Sequence, residues 1–216
     1  MKKFFMRMII ACMMATNCIG MTTSALAATP TKVSKSVETS TLNESTKKIY
    51  YAKYIEIAKE VSKETGLDIS ILPMDEFHND DWRTPNEYRK FLTKIANCNI
   101  RVNNSSDTQL FSNDTCIKYA SIEEQDIPYT IAITGKFTTQ YNSNIKRQLF
   151  ANVTSISSSI SNSNVKWSQT DYNYLFIESG RTCRVYIVGD LTMGGAAFKN
   201  KIAYVEFYCD NRGGLC

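Results

Sequence analysis

The spacing of apolar residues changes once along this chain, near Cys98, and this change constrains the fold class more than any motif does. Residues 45–97 carry apolar side chains at near-helical intervals, whereas residues 98–216 alternate between apolar and polar in segments of strand length. Helices followed by a run of strands are typical of α+β proteins. We therefore predict two N-terminal amphipathic helices packed on a mainly antiparallel β-meander, which forms either a curved sheet or a small sandwich.

The helical part has clear boundary signals. Gly66 is placed to end the first helix, because glycine readily adopts the left-handed conformation that follows a last helical turn. The run Thr84-Pro85-Asn86-Glu87 then puts a hydroxyl at the N-cap, proline at the first helical position and a carboxylate at the third. This capping box predicts a second helix that extends to about Asn97.

Short turns separate the predicted strands and favour antiparallel neighbours over crossover connections. We expect about five to seven strands, with two short ones near residues 100–102 and 116–120, and residues 45–216 as one domain. Residues 155–163 are nearly all Ser, Asn and Ile, which fits an edge strand or an exposed loop. The longer candidate strands are residues 129–141, 145–156, 165–177, 183–192 and 201–209.

The last two candidate strands predict a hairpin whose register follows from simple arithmetic. If Cys183 lies opposite Cys209, the turn centres on Ala196, within the run Gly194-Gly195-Ala196-Ala197. Opposite residues share a face of a sheet. This register makes Cys183–Cys209 the preferred disulfide, although two buried thiols fit it equally well. It also gathers apolar pairs on one face: Val185 with Phe207 and Ile187 with Val205.

The opposite face of this hairpin is rich in tyrosine and is a candidate binding surface. Aromatic rings beside polar groups suit a surface that binds sugars, peptides or proteins, because they bury a large area and keep hydrogen-bonding groups. The alternative is structural, since tyrosine is common in strands and either helix could cover this face. With Trp167 as a candidate neighbour, the predicted outward pairs are Arg184 with Tyr208, Tyr186 with Glu206 and Val188 with Tyr204.

Residues 1–27 have the three parts of a secretory signal peptide. Basic residues at positions 2, 3 and 7 precede an apolar run, and the small-residue end Ala25-Leu26-Ala27 predicts cleavage between Ala27 and Ala28. Residues 28–44 are predicted to form a flexible polar spacer, because they are rich in Ser, Thr and Lys and show no apolar period. We accordingly expect a secreted protein.

Two other fates of the leader stay open. An uncleaved leader could retain the chain in the membrane, although Thr16 and Asn17 interrupt its apolar run. Lipid attachment at Cys12 would also anchor the protein, although Arg7 leaves only four apolar residues before that cysteine. After cleavage, no stable membrane span is expected.

The composition indicates which class of partner is not expected and what kind of organism the protein comes from. The chain has 25 Lys and Arg against 21 Asp and Glu, but three of the basic residues belong to the leader, so the mature chain is nearly neutral. A nearly neutral balance predicts no nucleic-acid partner. Abundant Lys, Asn, Ser, Thr and Ile, with few prolines, indicate a bacterial protein from an AT-rich genome.

Five cysteines remain after cleavage. Because this number is odd, at least one of them stays free or pairs between chains if the others form disulfides. They include no CxxC pair and no zinc-like spacing, so neither a metal nor a cofactor is expected. At least one disulfide is the ordinary expectation for a secreted protein, while buried free thiols are the rival in a Gram-positive host. The five are Cys98, Cys116, Cys183, Cys209 and Cys216.

No motif names a reaction, so three classes of function are considered. The favoured one is a non-catalytic binding protein at the cell envelope or outside the cell, with cell-wall polysaccharide or an extracellular protein as its partner. The second is a secreted hydrolase built on His78, the only histidine, with the neighbouring carboxylates of Asp80 and Asp81. The third is a membrane-active, toxin-like protein whose long alternating strands assemble on lipid.

Overall fold

A computed structural model describes residues 42–102, 109–112, 114–124 and 127–215. Within these residues the chain forms two α-helices and one sheet of nine strands, most of them antiparallel, so the predicted α+β class is confirmed. The predicted signal peptide and residues 28–41 of the predicted spacer lie outside the described residues.

The first helix, α1 (Glu44–Thr65), has a defined cap at each end. Asn43 accepts a hydrogen bond from the N–H of Thr46 at 2.8 Å, so the helix begins one residue before the predicted start. Gly66 follows the last turn with a φ of 73°, and its N–H donates to the carbonyl of Ser62 at 2.9 Å. The predicted stop is therefore confirmed, because this left-handed position favours glycine.

The second helix, α2 (Pro85–Asn97), begins at the predicted capping box. Thr84 Oγ1 accepts a hydrogen bond from the N–H of Glu87, and Glu87 Oε2 accepts one from the N–H of Thr84 at 3.0 Å. These contacts satisfy two of the backbone donors that every helix start exposes. Neither described helix combines the length and the apolar character needed to cross a membrane.

The nine strands belong to one sheet, and three short 3-10 turns (Met74–Glu76, Asn79–Asp81 and Glu178–Gly180) lie in its connections. Three of the strands, β1 to β3, are short, and the remaining six have ten residues or more. In chain order the strands are β1 (Ile69–Ile71), β2 (Ile100–Val102), β3 (Gln109–Ser112), β4 (Thr115–Glu124), β5 (Ile127–Asn142), β6 (Arg147–Ile160), β7 (Val165–Ile177), β8 (Thr182–Met193) and β9 (Ala196–Tyr208).

The sheet is not one continuous meander. Its strand order is β6-β5-β4-β2-β9-β8-β7, with β1 beside β9 and β3 beside β4. Two three-stranded antiparallel meanders, β4-β5-β6 and β7-β8-β9, are thus joined through the short strand β2, which runs parallel to β9. The single meander was the wrong topology, because the two halves meet through a strand from the helical part of the chain.

The β8–β9 hairpin has the predicted faces but a different register. Cys183 lies opposite Phe207 and Val185 opposite Val205, so each partner is two residues away from the predicted one. The turn itself contains only Gly194 and Gly195, and the register shifts again near Gly189. A displacement of two residues keeps every side chain on its face, whereas a displacement of one would reverse them.

The predicted Cys183–Cys209 disulfide is wrong in this structure. Cys183 is a buried free thiol opposite a phenylalanine, and no disulfide joins the four cysteines that the structure describes. Burial raises the pKa of Cys183 to about 12. The thiol therefore contributes to the core as a small apolar side chain.

Helix α2 contacts the inner face of β9. The ring of Phe91 meets the ring of Phe198 edge-on, with 6.4 Å between centroids. Lys201 is 4% exposed, and its ammonium donates hydrogen bonds of 2.9 Å to the carbonyls of Ile95, Ala96 and Cys98. These carbonyls close the C-terminal end of α2, where a helix carries partial negative charge, so a buried cation is stabilising there.

Candidate functional site

The outer side of the β8–β9 hairpin carries five of the predicted binding residues. Tyr186 lies opposite Tyr204 and Arg184 lies opposite Glu206, with Tyr208 two residues further along β9. Side chains alternate between the two faces of a strand, and the intervening residues 185, 203, 205 and 207 are buried. The five residues therefore share the outer face of the sheet. We call this set (Arg184, Tyr186, Tyr204, Glu206 and Tyr208) the tyrosine face.

Glu206 is the centre of a hydrogen-bond network on the tyrosine face. Its Oε1 accepts hydrogen bonds from the Tyr204 hydroxyl and from Arg184 Nε, the latter at 2.9 Å. Its Oε2 accepts a hydrogen bond from the Tyr208 hydroxyl at 2.9 Å. The period of two along β9 brings residues 204, 206 and 208 to one side of the strand. The carboxylate thus holds two phenols and one guanidinium in fixed positions.

The network also sets the ionisation of these side chains. The hydrogen bond from Tyr204 is the main cause that lowers the pKa of Glu206 below its ordinary value. The hydrogen bond to Glu206 raises the pKa of Tyr208 to about 12 and also raises the pKa of Arg184. Burial is the main cause that raises the pKa of Tyr204. At neutral pH the network therefore presents the carboxylate of Glu206, the guanidinium of Arg184 and the neutral phenols of Tyr204 and Tyr208.

Two of the tyrosine rings are accessible to a ligand. Tyr186 is 41% exposed and Tyr208 is 42% exposed, so no described element covers them. The rings of Tyr186 and Tyr204 are inclined to each other with 5.4 Å between centroids. The guanidinium of Arg184 lies 5.7 Å from the centre of the Tyr204 ring, and Lys118 Nζ lies 4.9 Å from that of Tyr208. The accessible surface is therefore aromatic, with the guanidinium of Arg184 beside it and the largely buried Lys118 behind Tyr208.

Two aliphatic side chains that the sequence analysis missed extend this surface. Leu175 on β7 lies opposite Arg184, and Ile202 on β9 lies opposite Val188. Both aliphatic residues are 56% exposed. Ile202 could have been found from the sequence, because it is two residues from Tyr204 on the same strand. Leu175 could not, because an irregularity in the β7–β8 register conceals which face it takes.

Trp167 is not part of the tyrosine face, contrary to the prediction. Its side chain is 9% exposed and belongs to the hydrophobic core. It lies opposite the buried Leu191 of β8, and its Nε1 donates a hydrogen bond to Ser158 Oγ at 2.8 Å. The indole therefore faces the interior, where its N–H has the partner that a buried tryptophan needs.

His78 lies in a different place, beside the turn between β8 and β9. It lines a cleft of about 260 Å³ together with Asp75, Asp81 and Gly194. The His78 N–H donates to Asp81 Oδ2 at 2.8 Å, and burial raises the pKa of Asp81. Among the described residues, no group of three His, Cys, Asp or Glu side chains is arranged to hold a metal ion. The cleft is therefore lined by one imidazole and by carboxylates, and the Asp81 carboxylate already accepts a hydrogen bond from the backbone N–H of His78.

No protein-family model matches the chain, and its comparison with curated proteins and with solved structures found no significant similarity.

Proposed function

We propose that the chain is a secreted bacterial protein that binds a polysaccharide of the cell envelope through the tyrosine face, without catalysing a reaction. The observation that carries this proposal is the exposed, hydrogen-bonded tyrosine surface on β8 and β9. The helices pack on the inner face of the sheet, as the contact between Phe91 and Phe198 indicates, and they leave the outer surface open to a ligand.

The chemistry of the tyrosine face favours a hydroxyl-rich ligand over a protein. Charged residues are depleted at the centre of protein interfaces, and glutamate is depleted in interfaces generally, whereas Glu206 is central here. A carboxylate and a guanidinium offer hydrogen bonds to hydroxyl groups, while the tyrosine rings cover the apolar side of a sugar. Leu175 and Ile202 are the features that a protein partner would use, so an extracellular protein is the alternative ligand.

The fixed geometry of the face also supports binding. Ordering a side chain on binding costs about 0.5–1.5 kcal/mol. The hydroxyls of Tyr204 and Tyr208 are already held by Glu206, so part of this cost is met when the protein folds. A ligand therefore meets two preset rings and one ring, that of Tyr186, on the neighbouring strand.

Sedimentation with insoluble ligands tests the proposal. Purified residues 28–216 are incubated separately with bacterial cell walls, insoluble polysaccharides and liposomes, and the protein in each pellet is measured. We expect retention on walls or polysaccharide, with Tyr186→Ala and Tyr208→Ala each weakening it about tenfold or more, as central aromatic contacts do. Tyr141→Ala is the matched control, because Tyr141 is 59% exposed but lies on β5, outside the tyrosine face.

Each result has a distinct consequence. Retention that both tyrosine substitutions leave unchanged would contradict the proposal, since the ligand would bind elsewhere. Retention on liposomes alone would favour the membrane-active alternative. No retention on any of the three would exclude polysaccharide and direct attention to an extracellular protein. A hydrolytic activity that His78→Ala abolishes would instead support the enzyme alternative at the cleft beside the β8–β9 turn.

A further inference from the structure

The sheet ends in two strand edges that lie close together. Strands β6 and β7 are consecutive in the chain, yet within the described residues β6 forms a ladder only with β5, and β7 only with β8. An edge strand presents backbone N–H and C=O groups to which another extended chain can bond. Strand β6 has 14 residues, and although the N–H of Gln148 near its start donates a hydrogen bond to the carbonyl of Asn211, the rest of the strand is a long edge of this kind.

Side chains rather than backbone groups connect β6 to β7. Gln169 Nε2 donates a hydrogen bond to the carbonyl of Ile156 at 3.1 Å, and Ser158 Oγ donates one to Gln169 Oε1 at 2.7 Å. The amide of Gln169 thus bonds the β6 backbone as the N–H of a neighbouring strand would. An incoming strand can replace this amide and still leave the Ile156 carbonyl hydrogen-bonded, as a backbone acceptor requires.

After Arg147, its first residue, strand β6 lacks the charged residues and prolines that commonly protect an edge. Natural proteins protect edge strands with charged side chains, especially lysine, with proline or with bulges. Residues 148–165 contain no charged residue and no proline. Two irregularities in the β5–β6 register interrupt the first half of the strand, so residues 155–160 form its longest regular stretch. That stretch is the part of the edge best suited to accept another strand.

We propose that β6 pairs with the β6 of a second copy of this chain, antiparallel and about a two-fold axis. Such pairing sets each residue opposite a residue of the same strand, so charged side chains would repel across the axis. Strand β6 meets this requirement through its serines, which can form hydrogen bonds across the pair. Ser157 and Ser159 are exposed, whereas Ile156 is 5% exposed, so the pair continues the two-faced pattern of the sheet.

Sedimentation velocity of the secreted chain from Ala28 over a range of concentrations tests this pairing. We expect a reversible monomer–dimer equilibrium. Ser157→Lys introduces like charges at the pairing and should raise the dissociation constant about tenfold or more. Gln169→Ala removes the bridge that occupies the β6 backbone, while leaving the hydrogen bond of Trp167 to the Ser158 side chain, and should lower the dissociation constant. Thr138→Lys is the control, because Thr138 is exposed on β5, one strand inside the edge.

Two results would overturn the pairing: a monomer at every concentration, even for Gln169→Ala, or a dimer whose dissociation constant Ser157→Lys leaves unchanged. Circular dichroism identifies any variant that fails to fold, and Ser159→Lys repeats the test at a second exposed position of β6. Hydrogen exchange is an independent measurement, since the amides of residues 155–160 should gain protection as concentration rises. Concentration-independent exchange there would also contradict the pairing.

Discussion

At the scale of single residues, Glu206 has the largest effect on the tyrosine face. The face has four other side chains, and three of them donate hydrogen bonds to the Glu206 carboxylate. Arg184, Tyr204 and Tyr208 each donate a hydrogen bond to it. Hydrogen bonds to a charged group are stronger than those between neutral groups. The residue therefore determines both the position of the rings and the charge of the surface.

Glu206→Gln should lower the free energy of unfolding by about 1–2 kcal/mol at neutral pH, because the amide keeps the shape but loses charge-assisted hydrogen bonds. Folding lowers the pKa of Glu206, so its contribution to stability is present above the ordinary glutamate pKa and is lost as pH falls through the lowered pKa. The difference between the two proteins should therefore shrink as the pH falls below the ordinary glutamate pKa and through the lowered one. Urea denaturation across this range measures it, and a difference independent of pH would disprove the role of Glu206.

The face of each hairpin residue was predictable from the sequence, but its partner was not. Side chains alternate between the two faces of a strand, and this alternation determines which face Tyr204 takes. A register error of two residues does not change that face. The residue that lies opposite on the neighbouring strand depends on the turn length and on the irregularity near Gly189. Neither of these can be read from the spacing of apolar residues. The burial of Trp167 escaped prediction for a similar reason, since it depends on contacts with β6 and β8.

At the scale of elements, the close approach of Trp167 to β8 depends on a residue without a side chain. A Cβ atom at Gly189 would lie 2.5 Å from Cζ2 of the Trp167 indole. Gly189 is also the last β8 residue before the register of the hairpin shifts. Glycine at this position therefore allows the indole of β7 to pack flat against the backbone of its neighbour.

Gly189→Ala should destabilise the protein by about 1–3 kcal/mol, because the methyl group forces the indole out of its packed position. The same substitution in a Trp167→Phe background should cost less, since the smaller ring leaves room for the methyl group. Urea denaturation of the four proteins gives the coupling between the two sites. An equal cost in both backgrounds would show that the destabilisation has another origin.

The elements themselves differed in how far the sequence predicted them. The capping box of α2 lies within four consecutive residues, so the sequence contains all of the information for it. The buried side of α1 cannot be read from its apolar residues alone, since Ile49 is 57% exposed while Tyr54 is fully buried. Tyr54 stacks on Tyr88 with 3.7 Å between ring centroids, and a contact between two helices cannot be read from the period of one.

At the scale of the whole molecule, the core is built without a disulfide between the described cysteines. Cys183 lies in the same buried cluster as Val185 and Phe207. Cys98 is partly exposed, and burial raises its pKa as well. Thiolates are the reactive form of cysteine, so both residues should react slowly in the native protein.

Labelling of the native protein with a thiol reagent at about pH 8 should modify Cys98 before Cys183, because Cys183 is buried and its pKa is raised to about 12. Cys183 should become reactive only when denaturant unfolds the chain. Mass spectrometry of proteolytic peptides identifies the modified residue. Rapid modification of Cys183 in the absence of denaturant would show that the strand pair β8–β9 opens in the native state.

Strand β9 has a consequence for the order in which the chain can fold. It comes last in chain order among the described strands, yet it pairs with β1 and β2 from the first half of the chain, and its Lys201 closes α2. A chain that emerges N-terminus first therefore exposes the surface of α2 that contacts β9 until Phe198 and Lys201 have been synthesised. Contacts between such distant segments form late and slowly. Synthesis through β9 would therefore have to finish before α2 could pack on the sheet, so folding of this part of the chain should be post-translational.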